Sequence, residues 1–421
     1  MPSMTRVRWY IAGLLCLSST LNYLDRQTLS VLAATIQREL HLTDIQYSYV
    51  TSSFLVSYTI MYAVSGRVID AIGVRKGLMV FVSAWSIATM LPAFARNLTS
   101  LAFFRFLLGA SEPGNFPAGV RAASEWFPLK ERALAVGIFN SGTAIGGALA
   151  APIVSAIALA WGWRSAFIMT GLLGFVWVAI WYRSYQPPET HPRVSDTERA
   201  LILADRDATH VRAARVSMAR LLAMPETWGC MMPRILLDPV TYFLVFWIPK
   251  YLQTERGFSL ADLGKYAWIP FVALAIGNVV GGATPRYLVS RGWSVNRARK
   301  STMFAVSCGI GICFLLITRA SSPAIALTLI SAVMFGHGAW GNITLPAEVF
   351  PSHLVGTVTG LGGAFGGGIG VLTQLEIGRV VQNLSYTPLF VVCAFVYLVT
   401  FILVSWLVGE LGTSRVRPSA T

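Results

Sequence analysis

105-RFLLGASEPGNFPAG-119 places an arginine and a glutamate seven residues apart in an otherwise apolar segment that also carries two prolines. Charged side chains are expensive at bilayer depth, so a membrane chain that keeps Arg105 and Glu112 there has a use for them. The first apolar segment carries a second acid and base, Asp25 and Arg26, within 21-LNYLDRQTL-29. Two such pairs inside apolar segments point to coupled transport.

The class follows from composition. Of 421 residues 55% are hydrophobic and only 12% charged, and apolar runs of about 20 residues recur along the chain. We expect an all-α membrane protein with twelve spans at residues 9–32, 46–69, 78–96, 99–120, 132–158, 164–184, 228–252, 266–289, 300–319, 323–346, 354–380 and 386–409. An even count puts both termini on one side. Residues 9–32 are read as a retained first helix, because no small-residue cleavage site precedes NYLDR.

The net charge of +14 is a topology signal and not a nucleic-acid footprint. Arg6, Arg8, Arg75, Lys76, Lys130, Arg132, the run from Arg193 to Arg220, Arg291 to Lys300, Arg415 and Arg417 all fall on one side. The other side has only scattered cations such as Arg38, Arg96, Arg164, Lys250 and Arg319. The positive-inside rule then puts both termini in the cytoplasm. The cysteines at 16, 230, 308, 313 and 393 fall in spans, so neither a disulfide framework nor a metal site is expected.

A polar stretch near the middle divides the spans six and six. The expected organisation is an N-terminal six-helix unit at 1–185, a cytoplasmic linker at 186–227 and a C-terminal six-helix unit at 228–421. Ser195 with Glu198 is a capping-box pattern, which predicts a short linker helix from about Asp196. The halves repeat: Glu125-Trp-Phe-Pro128 with Gly137 nine residues on matches Glu348-Val-Phe-Pro351 with Gly360, at equivalent junctions. Parallel six-span repeats with a site at their interface are a known transporter plan.

After the second span comes 66-GRVIDAIGVRK-76. It resembles the signature loop of the major facilitator superfamily, with Ala71 where that family usually has a basic residue. The resemblance implies that Gly66 and Gly73 permit close helix approach, while Asp70 and Arg75 join a cytoplasmic charge network. It implies the superfamily fold of two pseudo-symmetric bundles, and it covers nearly the whole chain.

Helical rise places Asp25 about 24 Å and Arg105 about 22 Å from the same boundary, so these two can pair, with Glu112 about two turns nearer the cytoplasm. A desolvated carboxyl there is a candidate proton carrier. Arg26 suits a substrate carboxylate, because its forked donors bind bidentately and it never deprotonates, and Arg105 can act as a second clamp. The alternative is that these charges only staple helices together.

NYLDR in the first span and 105-RFLLGASEPGNFP-117 in the fourth resemble the anion:cation symporter branch of the superfamily. That resemblance implies proton coupling through Asp25 and Glu112 and substrate contact by Arg26, Tyr23 and Tyr58. FNSGTAIGGALAAP (139–152), LLDPVTYFLVFWIPKYL (236–252) and LPAEVFPSHLVGTVTGLGGAFGG (345–367) look most like its hexuronate-transporting members, apart from Ala144 where an asparagine is expected.

Tyr58 can serve a sugar or pack as a structural aromatic. Asn140 and Thr143, at i and i+3, can bond hydroxyls or neighbouring helices. Tyr242, His337, Trp340 and Asn342 are further substrate-binding candidates in the second half. Asp238 can contribute there or accommodate a broken helix before Pro239, and His337 can titrate or be an interior hydrogen-bonded residue. The glycine run 360–370 follows no strand, so it reads as close helix packing and not as a dinucleotide fingerprint.

The expected function is a proton-coupled symporter of a bacterial inner membrane, a monomer in the lipid bilayer. It imports a monovalent sugar acid by alternating access, a hexuronate such as glucuronate or galacturonate or an aldonate such as galactonate. The proton gradient supplies the energy, with no cofactor. The alternatives are a non-sugar organic acid, aromatic acids included, and a transporter-like sensor. An enzyme is not expected, since no nucleophile, metal cluster or cofactor motif stands out.

Overall fold

The computed structural model describes residues 6–203, 217–341, 345–350 and 352–410, and among them it contains helices and no strand. The first half runs α1 (Val7–Val31), α2 (Ala33–Glu39), α3 (Asp44–Met90), α4 (Leu98–Ser111), α5 (Asn115–Trp126), α6 (Leu129–Trp161) and α7 (Trp163–Ser184). Two short helices follow, α8 (Asp196–Leu203) and α9 (Met218–Leu222). The second half runs α10 (Pro225–Phe246), α11 (Ile248–Thr254), α12 (Leu260–Tyr266), α13 (Ile269–Ser290), α14 (Val295–Ile317), α15 (Pro323–Trp340), α16 (Leu345–Val349), α17 (Ser352–Asn383) and α18 (Thr387–Val408).

Among the described residues nine segments are long and apolar enough to cross a membrane. One of them, Asp44–Phe94, has 51 residues, roughly 75 Å of helix, enough for two crossings. It is broken at Gly73, whose φ of 78° few residues other than glycine adopt at low cost. Two further spans fall short on apolarity or continuity: α1, which carries NYLDRQT, and Leu98–Trp126, which a 3₁₀ turn at Glu112–Gly114 divides into α4 and α5. Counting both crossings of α3 and these two spans gives the expected twelve. Side chains such as Leu372, Val392, Ile402 and Trp406 stay exposed on these apolar spans, where lipid would surround them.

The structure refines the sequence expectations where proline intervenes. The span at 99–120 is not continuous, because Pro113 has no backbone N–H to donate within the helix. The span at 228–252 divides at Trp247, ahead of Pro249, into α10 and α11. The linker helix starts at Asp196 as expected, with the Glu198 N–H donating to Ser195 Oγ at 3.3 Å, whereas α9 was not foreseen.

Both halves use the same packing scheme. In the first, α1 lies on α6, the start of α3 on α4 and the end of α3 on α7; in the second, α10 lies on α17, α13 on α15 and α14 on α18. First span thus meets fifth, second meets fourth and third meets sixth, twice over. Small residues make the approach possible: a Cβ at Gly142 or Gly146 of α6 would collide with the carbonyl oxygens of Cys16 and Thr20 on α1. The halves meet along α3 with α17 and along α6 with α12 and α13.

Charge networks tie down the end that holds the chain's N-terminal side. Glu198 accepts the backbone N–H groups of Val7 and Arg8 and the Arg8 guanidinium at 2.9 Å, while Arg8 also donates to Glu131 at 2.8 Å. Arg121 bridges Asp70 at 2.8 Å and Glu125 at 3.0 Å, and Arg75 donates to the Tyr182 carbonyl. Arg299 holds Glu348 at 2.8 Å, so an arginine grips the glutamate of each repeated Glu-x-Phe-Pro motif; Pro351 lies outside the described residues.

The opposite end is sealed. Lys250 pairs with Asp44, Tyr47 Oη donates to the Phe246 carbonyl at 3.0 Å, and Gln374 Oε1 accepts from Thr51 at 3.0 Å and from Trp247 at 2.8 Å. Toward the N-terminal side, a cavity of about 750 Å³ opens between α6 and α13.

Gly146→Leu should destabilise the α1–α6 contact by about 1–3 kcal/mol, the usual range for overpacking, and lower the melting temperature in detergent. Gly137→Ala, where a Cβ meets nothing within 4 Å, should leave it unchanged. Asp44→Asn should strand the buried Lys250 charge and loosen the sealed end. A Ser52→Cys probe beneath it should then label with an impermeant maleimide several-fold faster than in the Asp44 parent; equal rates would remove the pair from the seal.

Candidate functional site

Arg26 of α1 is 7% exposed, and its Nε and Nη2 donate to Glu112 Oε2 at 2.9 and 2.6 Å. Three rings surround its guanidinium: Tyr23 and Tyr58 each at 4.8 Å and Phe54 at 5.3 Å. Such stacking favours a planar, weakly hydrated cation. Glu112, 1% exposed, sits where α4 ends and the 3₁₀ turn begins. Its Oε1 has no hydrogen-bond partner.

The expected Asp25–Arg105 pair does not form. Neighbours on a helix point about 100° apart, so with Arg26 turned to the cleft Asp25 faces elsewhere. The hydroxyls of Thr89 on α3 and Thr170 on α7 lie beside its carboxyl, and neither completes a hydrogen bond of full geometry. Arg105 is fully buried with all three guanidinium nitrogens lacking hydrogen-bond partners, and it stacks over Phe54 at 4.8 Å. It lies within electrostatic reach of Asp25, Arg26, Glu112 and Tyr47. The cluster holds two acids and two bases, and the one ion pair it shows joins Arg26 to Glu112.

The second half brings its own charges to the same region. On α10, Arg234 Nη2 lies 3.1 Å from Asp238 Oδ2. Tyr58, Tyr62 and Tyr242 are within electrostatic reach of Arg234, and Tyr58 also of Arg26. Tyr58 and Tyr62 stack at 6.0 Å, and Tyr242 stacks on Phe246 at 6.1 Å. Tyr23, Arg26, Tyr58, Glu112 and Tyr242 therefore assemble as one cluster, joined by Arg234 and Tyr62, which the sequence reading did not single out. The available signal was the Arg234–Asp238 spacing of four, which puts both side chains on one helix face.

Other candidates lie elsewhere. Asn140 and Thr143 line the cavity between α6 and α13 together with Asn278, and the Thr143 hydroxyl donates to the Asn140 carbonyl at 2.8 Å. Both His337 ring nitrogens are engaged, Nδ1 with Tyr397 Oη at 2.7 Å and Nε2 with Thr241 Oγ1 at 3.2 Å, an interior role linking α10, α15 and α18. Trp340 is buried and donates to Ser307 Oγ at 2.9 Å, inside the second half. Asn342 lies outside the described residues. Asp70 and Arg75 join the network at the N-terminal-side end, away from this cluster, whereas a Cβ at Gly66 or Gly73 would meet nothing within 4 Å, so the close helix approach expected of these two glycines is not found.

Comparison with known proteins accounts for these shared features. The family described as Major Facilitator Superfamily matches residues 15–374. The chain is 34% identical over 397 residues to the hexuronate transporter of Escherichia coli K12, covering 92% of this chain and 91% of that one. It is also 34% identical over 342 residues to the galacturonate transporter of Dickeya chrysanthemi, covering 81% and 92%. In fold it matches the inward open conformation of the xylose transporter XylE from E. coli with a TM-score of 0.74 at 13% identity, over 97% of this chain and 98% of that one. A family match spanning most of the chain, together with helix pairing repeated in two halves around a charged cleft, makes this protein a member of the major facilitator superfamily and a multi-pass membrane transporter.

Proposed function

We propose that this transporter is a proton-coupled symporter that imports a sugar-acid anion, first of all a hexuronate such as glucuronate or galacturonate, with an aldonate such as galactonate next. The carrying observation is the Arg26–Glu112 pair: a forked cation in the cleft, held through a single carboxylate oxygen. A proton on Glu112 weakens its hold on Arg26, which then accepts the carboxylate of a substrate through the same two N–H groups. Substrate and the Glu112 carboxylate thus compete for one guanidinium, so proton and substrate each favour binding of the other. The rings of Tyr23 and Tyr58 offer apolar faces to the C–H side of a sugar. Asp25, with no fixed ion-pair partner, suits a second proton site, and Arg105 supplies positive potential behind Phe54.

The positive charges at the N-terminal-side end support a cytoplasmic location for both termini in a bacterial inner membrane. The sealed end then faces outward and the cavity inward, the state named for the XylE structure. Import requires the sealed end to open and the inner ends to close in turn. The cluster is complete within one chain, which suits a monomer powered by the proton gradient alone. A second reading has support as well: rings crowd around Arg26, whereas Asn140 and Thr143 line the cavity between α6 and α13. An aromatic acid would use that environment, so it belongs in the substrate panel. Uptake into proteoliposomes of labelled uronates, aldonates and aromatic acids, with and without an imposed proton gradient, decides between them.

Arg26→Lys keeps the charge and loses the fork, so uronate affinity should fall about tenfold or more. Parent-like affinity would end the clamp assignment. Glu112→Gln imitates the protonated acid, and it should retain counterflow exchange while losing accumulation driven by a pH gradient. If it still concentrates substrate like the parent, coupling rests on other groups, with Asp25 the next to test.

A further inference from the structure

One charged pair near the cleft has no part in the mechanism above. Arg234 and Asp238 lie one turn apart on α10, and their side chains are 30% and 9% exposed. Arg234 Nε and Asp238 Oδ2 have no hydrogen-bond partner, so each side chain keeps bonding capacity beyond the ion pair.

The glycine face of α17 brings this pair to the seam between the halves. A Cβ at Gly366 would lie 2.7 Å from Asp238 Oδ2, and one at Gly363 would touch both Arg234 Nη2 at 3.6 Å and the Tyr62 ring at 3.7 Å. Guanidinium and phenol thus converge on one point of α17, from α10 in the second half and α3 in the first. Tyr62 stacks on Tyr58, which is itself 4.8 Å from the Arg26 guanidinium. Two arginines, one from each half, flank a single pair of tyrosines.

We propose that Arg234 and Asp238 form a second subsite of the cleft, which takes the hydroxylated end of a sugar acid whose carboxylate is on Arg26 and excludes a second carboxylate. The proposal rests on the sugar-acid reading above. A hydroxyl both accepts and donates, so it can accept from an Arg234 N–H and donate to an Asp238 oxygen at once. A carboxylate only accepts, and it would meet Asp238 as a like charge in a confined site, where such repulsion is strong. Asp238 therefore sets specificity for acids charged at one end, and Arg234 positions the other.

The test is direct binding to the purified full-length chain of galacturonate, with one carboxylate, and galactarate, the same six-carbon skeleton with a carboxylate at each end. The parent should bind galacturonate more tightly. In Asp238→Asn the ratio of galactarate to galacturonate dissociation constants should fall about tenfold or more, because the repelling charge is gone while size and hydrogen bonding are kept. Arg234→Gln should weaken galacturonate without favouring galactarate. A ratio unmoved in Asp238→Asn that still binds galacturonate overturns the proposal. So does a parent that binds both acids equally, a result that depends on no variant folding. A parent that binds neither acid, nor galactonate, removes the sugar-acid reading itself, and the subsite with it.

Discussion

A guanidinium held inside a membrane protein by one oxygen of one carboxylate is the interaction around which the cleft is organised. Moving either charge from water into a dry interior costs several kcal/mol, and their mutual attraction offsets this only while both stay ionised and in contact. Arg26 and Glu112 meet that condition with two hydrogen bonds and three stacked rings. The arrangement is stable and conditional at the same time. In the proposed mechanism, whatever alters the charge of Glu112 alters what Arg26 can bind, so that a binding site and a charge sensor would share one pair of residues.

The surrounding structure serves to keep that pair in register. Glu112 stands at the break between α4 and the 3₁₀ turn, and Pro113 fixes where the break falls. Ser57 Oγ donates to the Phe106 carbonyl at 2.6 Å, fastening α3 to α4 beside Phe54, the ring that Arg26 and Arg105 share. On the other side of α1, Gly142 and Gly146 let α6 close against Cys16 and Thr20, and Ser18 donates to Asn115 Oδ1 at 2.9 Å. These contacts are short-range and tolerate little change in volume, as close packing in general requires.

How much of this the sequence discloses depends on whether a feature is local. The twelve spans, the linker helix at Asp196 and the presence of four buried charges follow from apolar run length, capping and depth, all properties of short stretches. Which acid pairs with which base does not follow. Depth along a helix is readable from the rise per residue, but rotation about its axis is set by packing against other helices, and a difference of one position swings a side chain by about 100°. Equal depth therefore suggested Asp25 with Arg105, whereas rotation gave Arg26 to Glu112. Arg234 escaped notice because it lies near the start of its span, where arginines commonly anchor to the interface; its meeting with Tyr62 on α17 depends on contact between the halves. His337 shows the converse: its titratable ring drew attention, and Thr241 and Tyr397 occupy both its nitrogens.

The distribution of ion pairs between the halves bears on how such a protein can move. Arg26–Glu112 lies wholly within the first half and Arg234–Asp238 wholly within the second, so a rocking motion of one half against the other breaks neither. The charged networks at the N-terminal-side end follow the same rule, with Arg121–Asp70 and Arg299–Glu348 each contained in one half. The hydrogen bonds and the ion pair that cross at the sealed end include Lys250 with Asp44, Tyr47 with the Phe246 carbonyl, Gln374 with Thr51 and Ser52 with the Val371 carbonyl. Opening that end exchanges a handful of hydrogen bonds and one ion pair for water, each a net change on the order of 1 kcal/mol. The barrier would rise further if the Arg26–Glu112 and Arg234–Asp238 charges also bridged the halves, as Lys250 and Asp44 do. Keeping both pairs internal lets each stay intact through such a motion, so the difference between the two states is left to the contacts at the two ends.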